Sequence, residues 1–219
     1  MCANDGVPVF DEGCKRCHRL SSFLDDVSRQ YPDYYARPVP AFGDPDAELL
    51  IVGLAPGMHG ANRTGRPFTG DYAGILLYQT LYDFGFGSRP VSEACDDGLE
   101  LKRCRISNAV KCLPPQNKPV TAEIKNCNGF LRAELESLPQ AAVVVALGKI
   151  AHDAVLRARG LPLSRYPFAH GAEHDLHGFL LLDSYHCSRY NTQTGRLTPA
   201  MFRAVFARAR ALVDRVESG

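Results

Sequence analysis

The 219-residue chain carries a formal net charge of +1, with 45% hydrophobic and 22% charged residues. These are the proportions of an ordinary globular protein, long enough to bury a core without disulfides. They exclude a disordered or fibrous chain, and the lack of any long uncharged apolar run argues against a membrane span. The start, MCANDGVPVF, lacks a basic stretch followed by an apolar one. A secretory leader is therefore not expected, and the expected compartment is the reducing cytoplasm, where the 8 cysteines would not pair as disulfides.

In chain order, the first marked feature is Cys14 and Cys17, spaced C-x-x-C beside Lys15, Arg16 and His18. An apolar run follows at 48–53, ELLIVG, and leads into a glycine-rich loop, GLAPGMHGANRTGRPFTGD, ending at Asp71. That loop supplies donors (Asn62, Arg63, Arg66), a flat apolar face (Phe68) and a carboxylate (Asp71). It is neither a Walker A loop nor a dinucleotide fingerprint. A helix is expected over 73–84. The second run, CRISNAV at 104–110, precedes Lys111, Cys112 and the proline-rich PPQNKP. A helix opens at Thr121 and reaches 138, with Cys127 inside it. The third run, AAVVVAL at 141–147, is followed by a helix over 148–159. His170, His174 and His177 crowd the segment before the fourth run, GFLLL at 178–182; this reads as a polar connection rather than a metal site. Then comes DSYHCSRYN, with His186 at the end of a strand. The last segment, 198–216, places Phe202, Val205, Phe206, Ala209, Leu212 and Val213 on one helical face and Arg203, Arg208, Arg210 and Arg215 on the other, which reads as solvated surface.

Short, almost continuously apolar strands alternating with helices predict a three-layer α/β/α fold around a four-stranded, mostly parallel sheet, in one domain over 1–219. In such sheets ligands bind outside the carboxyl ends of the strands. The loops after Val52, Asn108 and Leu182 are therefore the candidate site. The side-chain amide of Asn108 offers a donor and an acceptor, as a nucleobase edge requires. Two thiolates at C-x-x-C spacing and two more at Cys112 and Cys127 suit a four-thiolate metal centre. Spacing alone leaves zinc and a 4Fe-4S cluster both open. Cys2, Cys95, Cys104 and Cys187 read as small buried hydrophobes. A His186–Cys187 nucleophile pair ranks low, because sequence neighbours rarely point at each other.

Together these segments resemble the uracil-DNA glycosylase superfamily, and within it family 5. GLAPGMHGANRTGRPFTGD resembles that family's first motif, HCSRYNTQTGRLTP its second, and NAVKCLPPQNKP with Cys127 its central segment. The resemblance implies a 4Fe-4S cluster on Cys14, Cys17, Cys112 and Cys127. It implies a monomeric hydrolase in base excision repair that acts on uracil in double- and also single-stranded DNA. Hypoxanthine, xanthine and ethenocytosine are further bases associated with family 5. In other families of the superfamily the Gly-x-x-Pro turn often carries a polar water-activating residue. Here it is Gly53-Leu54-Ala55-Pro56-Gly57, which shifts that role toward Asp71. The expected division of labour is as follows. Asp71 and His186 are catalytic: Asp71 stabilises the cationic sugar, orients water, or both, and His186 bonds the developing anion at uracil O2. Phe68 stacks on the flipped base, Asn108 reads its edge, and Ala55, Gly57 and Ser188 also contact substrate. Arg63, Arg66, Lys118 and Arg189 contact DNA phosphates. The competing expectations are a non-catalytic zinc- or cluster-bearing nucleic-acid-binding protein, a cysteine-dependent hydrolase, and a protein that binds or covalently captures the base.

Overall fold

The computed structural model describes residues 10–216, so Cys2 lies outside the described residues. The four apolar runs form the centre of the sheet: β2 (Leu49–Gly53), β3 (Cys104–Asn108), β4 (Ala142–Leu147) and β6 (Phe179–Ser184). All four are mutually parallel, in the order β3-β2-β4-β6. Two short antiparallel strands extend the sheet to six: β1 (Phe42–Gly43) beside β3, and β5 (Glu173–Asp175) beside β6. β5 contains His174, so part of the histidine-rich connection is an edge strand. Every residue of β2, β3 and β4 is buried, as expected of strands covered on both faces.

Alternate residues point to opposite layers. Leu50, Val52, Val144, Ala146 and Leu181 join Leu20, Leu24, Leu131 and Val155. These come from α1 (His18–Gln30), α4 (Thr121–Glu136) and α5 (Lys149–Ala158). On the other face Leu49, Ile51, Val143 and Leu182 pack with Leu77, Leu81, Phe202 and Phe206. These belong to α3 (Tyr72–Asp83) and α7 (Pro199–Val216). Two short helices, α2 (Ala61–Thr64) and α6 (Arg189–Gln193), lie in the loops that follow β2 and β6. The arginine face of α7 is an ion-paired surface: Arg203 meets Asp83, and Arg208 Nε lies 2.7 Å from Glu173.

Register brings the functional ends level. Gly53 pairs with Asn108, and Leu147 with Ser184. The loops leaving β2, β3 and β6 therefore open on the same side of the sheet. Among the described residues, no helix is long and apolar enough to cross a membrane.

Candidate active site

Those loops enclose a cavity of about 450 Å³. Phe68, Asp71, Asn108 and His186 all line it, together with Ala55, Gly57, Ser188 and Arg189. Leu54 of the apolar turn lines it as well, and so do Tyr72 and Asn117, which sequence reasoning did not single out. Each is adjacent to a residue it did single out or lies in the proline-rich loop.

Phe68 sits at the pocket wall with a backbone φ of 55°, in the left-handed region that a bulky residue rarely adopts. Its surroundings enforce that conformation. The Phe68 carbonyl passes so close to Gly74 that a Cβ there would lie 1.8 Å from the oxygen. Next to it, the Tyr78 hydroxyl donates to the Pro67 carbonyl at 2.7 Å. The Phe68 ring faces the His186 ring at 5.9 Å and 27°. Gly53 completes the fit, since a Cβ there would meet Phe68 Cζ at 2.6 Å and Asn108 Oδ1 at 2.4 Å.

Asn108 is 3% exposed, and its Oδ1 is buried without a hydrogen-bond partner. An orphaned acceptor at a pocket wall is a vacancy for a donor, because an unmade buried hydrogen bond is costly. Asp71 caps α3: one carboxylate oxygen accepts from the Gly74 N–H at 2.9 Å. The other faces the preceding loop, where a Cβ on Gly60 would come within 2.7 Å of it. Desolvation raises the Asp71 pKa, and the cap hydrogen bonds from Gly74 and Ala73 oppose the rise. His186 is half-buried, and desolvation pushes its pKa down to about 4, so its ring is neutral near pH 7. Asn191 Nδ2 holds the His186 carbonyl at 2.8 Å, and Ser188 caps α6 by accepting from the Asn191 N–H. A neutral donor, a carboxylate, a base-edge amide and an aromatic face thus share one cavity.

Three expectations require correction, those for Arg66, Cys95 and Asn62, whereas Cys187 is buried as the sequence suggested. Arg66 is not placed to reach DNA phosphate: it is 3% exposed, and its Nη1 lies 2.7 Å from Asp97. It also donates to Ser92 and to the Cys95 carbonyl, and its guanidinium covers the Phe42 ring at 4.2 Å. A buried arginine already paired has no charge to offer a ligand. Cys187 is fully buried, and burial raises its thiol pKa, so a thiolate nucleophile there is excluded. Cys95 is partly exposed rather than buried, unlike Cys104. Asn62, read as a donor of the first loop, is buried with neither end of its amide hydrogen-bonded. Arg63, Lys118 and Arg189 are exposed, as a phosphate contact requires.

Cys14, Cys17, Cys112 and Cys127 converge on a separate small cavity between α1, α4 and the segment after β3. The Lys111 N–H donates to Cys127 Sγ at 3.2 Å, and Asn126 Nδ2 to Cys17 Sγ at 3.6 Å. Burial raises the thiol pKa of Cys112 to about 12 and that of Cys127 to about 11. Arg19 clamps the arrangement by reaching Glu123 at 2.7 Å and the Lys118 carbonyl at 3.1 Å. Lys111, at the thiol cavity, also enters a buried ion pair that the sequence concealed. Lys111 Nζ is 2.6 Å from Glu134, whose other oxygen accepts from Ser107 at 2.7 Å.

Among the described residues, the one trio of metal-ligand-type atoms within 4.8 Å of one another is His152, His174 and Asp183. The trio is a hydrogen-bonded strut behind β6: His152 Nδ1 lies 2.7 Å from Asp183, and its Nε2 2.9 Å from the Tyr166 carbonyl.

Residues 40–210 match the family model described as the uracil DNA glycosylase superfamily. The chain is 49% identical to a type-5 uracil-DNA glycosylase of Thermus thermophilus, covering 91% of this chain and 93% of that one. It is 44% identical to the type-5 uracil-DNA glycosylase of Pyrobaculum aerophilum, over 90% and 88%. Among solved structures, the wild-type SMUG2 of Pedobacter heparinus superposes with a TM-score of 0.50 at 12% identity, over 94% of this chain and 86% of that chain. At that identity the likeness speaks for the fold alone.

Proposed function

Because the chain belongs to the uracil-DNA glycosylase superfamily, we propose the following division of labour for its pocket. The enzyme is a uracil-DNA glycosylase, a hydrolase of N-glycosyl bonds acting in base excision repair. A base inside a duplex cannot reach the cavity, so the nucleotide swings out of the stack and the base enters alone. Phe68 supports its face. Asn108 Oδ1, which has no protein partner, accepts the N3–H of uracil while the amide NH2 donates to a ring carbonyl.

Cleavage leaves positive charge on the deoxyribose and negative charge on the uracil ring. Neutral His186 donates a hydrogen bond to the carbonyl oxygen where that charge gathers. Such a preorganised donor contributes about 3–4 kcal/mol in comparable sites. Asp71 supplies the negative partner for the sugar cation and orients the incoming water through the oxygen that faces the Gly57–Gly60 loop. Desolvation of this carboxylate strengthens its attraction for a cation. Ser188 and the rim residues Arg63, Arg189 and Lys118 take the phosphates, which stay outside.

The four thiols would hold a 4Fe-4S cluster. Two N–H···S hydrogen bonds and the all-thiol donor set fit such a group. When bound, the cluster supplies cross-linking of the N-terminal segment to the loop after β3 rather than redox chemistry. The working unit is a monomer in the cytoplasm, and its substrate is uracil in double- or single-stranded DNA. The cavity volume, well above that of one pyrimidine, and the apolar Leu54–Ala55 turn favour acceptance of larger deaminated bases as well.

The observation that carries this reading is the convergence of an orphaned amide oxygen, an aromatic face, a neutral imidazole and a carboxylate in one cavity. Single-turnover release of uracil from a duplex tests it. Asp71→Asn and His186→Ala should each slow release by about 100-fold or more. Unchanged rates in both would remove the roles assigned here.

A further inference from the structure

The histidine-rich connection, which the sequence presents as a polar link, packs along the end of β6. Its edge strand β5 pairs with β6 only from Leu180 to Leu182. Past that point single contacts continue the ladder. The Asp183 N–H donates to the Ala172 carbonyl at 2.9 Å, and the Gly171 N–H to the Asp183 carbonyl at 2.8 Å. The next N–H on that edge, two residues on, belongs to Tyr185, which lies beyond the strand. A side chain receives it: His170 Nδ1 accepts at 3.1 Å. The His170 ring also lies nearly flat on the Tyr185 ring, at 5.1 Å and 22°, and the Arg196 guanidinium covers Tyr185 at 4.7 Å. The residue after Tyr185 is His186, whose own carbonyl is held by Asn191 at 2.8 Å. The backbone that carries the imidazole of the pocket is thus tied on both sides, and one tie is a second histidine.

We propose that His170 is a positioning residue: its Nδ1 fixes the Tyr185 peptide and so aims the His186 imidazole at the carbonyl of the extruded base. This rests on the reading of His186 as the donor to the developing anion. A nitrogen that accepts an N–H must keep its lone pair, so the ring carries its one proton on Nε2. The surroundings agree. Burial lowers the His170 pKa, against a hydrogen bond with the Met201 backbone of α7 that favours the protonated form. The groups that face the ring are the Tyr185 phenol and, over it, the Arg196 guanidinium, and neither is an anion that would hold a second proton. The carboxylates of this region are engaged elsewhere: Glu173 with Arg208 at 2.7 Å, and Asp183 with His152 at 2.7 Å and His174 at 3.2 Å. Protonation of His170 would set a ring N–H against the Tyr185 N–H and release the peptide. The tie therefore holds at neutral pH and is lost on the acid side.

The test uses the full-length protein and single-turnover release from a duplex with one uracil, across enzyme concentration and pH. His170→Phe keeps a flat ring against Tyr185 but removes the acceptor. Its maximal rate near pH 7 should fall by about tenfold or more, because small displacements of a reacting group are costly, while the enzyme concentration at half-maximal rate stays within about twofold. His170→Asn puts an amide oxygen where Nδ1 stood. It should restore the rate to within about threefold of wild type, and its acid limb should be less steep, since one of the two protons of that limb, on His170 and Asp71, is gone. A purely structural role for His170 would move the thermal melt without this split, rescue or change of slope. Imidazole 15N shifts of the wild type, which need no variant to fold, should show His170 Nδ1 unprotonated near pH 7. A protonated Nδ1, a His170→Phe enzyme at the wild-type rate, or a His170→Asn enzyme as slow as His170→Phe overturns the assignment. If His186→Ala also released uracil at the wild-type rate, the reading of the main pocket would fail instead.

Discussion

Gly53→Ala is the most informative single change, because one methyl group would press on two pocket residues at once. The new Cβ would lie 2.6 Å from Phe68 Cζ and 2.4 Å from Asn108 Oδ1. Ordinary van der Waals contact begins near 3.4 Å, so both side chains must retreat by about 1 Å. Neither is locked in the direction of retreat: the Phe68 ring can move into the pocket, and Asn108 Oδ1 has no hydrogen bond to lose. Overpacking should therefore cost only about 1–2 kcal/mol, lowering Tm by roughly 2–8 °C for a chain of this size. Catalysis should suffer far more, since misplacement by 1 Å can cost about 100-fold in rate. The assay pairs a thermal melt with single-turnover uracil release. Gly129→Ala serves as control: Gly129 lies inside α4, and a Cβ there meets nothing within 4 Å. That change should raise stability by about 0.5–1 kcal/mol and leave the rate alone. A Gly53→Ala enzyme that melts like wild type and works within threefold of its rate would refute the packing argument.

Lys111→Met should cost about 3–5 kcal/mol by stranding the Glu134 carboxylate, whereas Lys111→Met with Glu134→Leu should be near neutral; chemical denaturation measures both. Because desolvation disfavours the charged form of Asp71, Asp71→Asn should hold or raise Tm at pH 7 while abolishing turnover. A lowered Tm would show that the charged carboxylate is the better cap for α3. The Asp71 carboxylate protonates at a higher pH than an ordinary aspartate, so the wild-type rate should fall on the acid side through that raised pKa; stopped assays across pH would show it. On stability His186 acts in the opposite direction to Asp71, whose raised pKa makes its contribution fall as pH rises. Its pKa falls from 6.5 to about 4 on folding, so the unfolded chain takes up this proton first. Its contribution is complete above about pH 6.5 and drains away as pH falls toward 4. His186→Asn should flatten that part of the pH–stability curve.

The parallel centre of the sheet was legible because Leu49–Gly53 and Ala142–Leu147 are buried on both faces and leave an unbroken apolar run. The pocket was legible because Phe68, Asp71, Asn108 and His186 sit at strand ends or in the loops that follow them. Pairings made at long range were hidden. Arg66 in a glycine-rich loop looks like a surface cation until Asp97, 31 residues on, is folded against it. His152 meets Asp183 across the same interval, and Lys111 meets Glu134 across 23 residues. Helix α1 was concealed differently: only Leu20, Leu24 and Val27 are fully buried in a charged stretch whose two cysteines drew the attention. The edge strands β1 and β5 have two and three residues, too few for any periodicity to register.

The placement of charge around the cavity has a consequence for selectivity. Arg63, Lys118 and Arg189 lie outside or at the rim, while the imidazole inside is uncharged near pH 7 and its neighbour Asp71 is anionic. A free mononucleotide that tried to lodge there would drag its phosphate toward a carboxylate with no deep cation to receive it. A base delivered by a polymer keeps its phosphates outside, against the rim arginines. A strand that presents its base this way keeps its phosphates with the rim cations and leaves the carboxylate to the sugar and base.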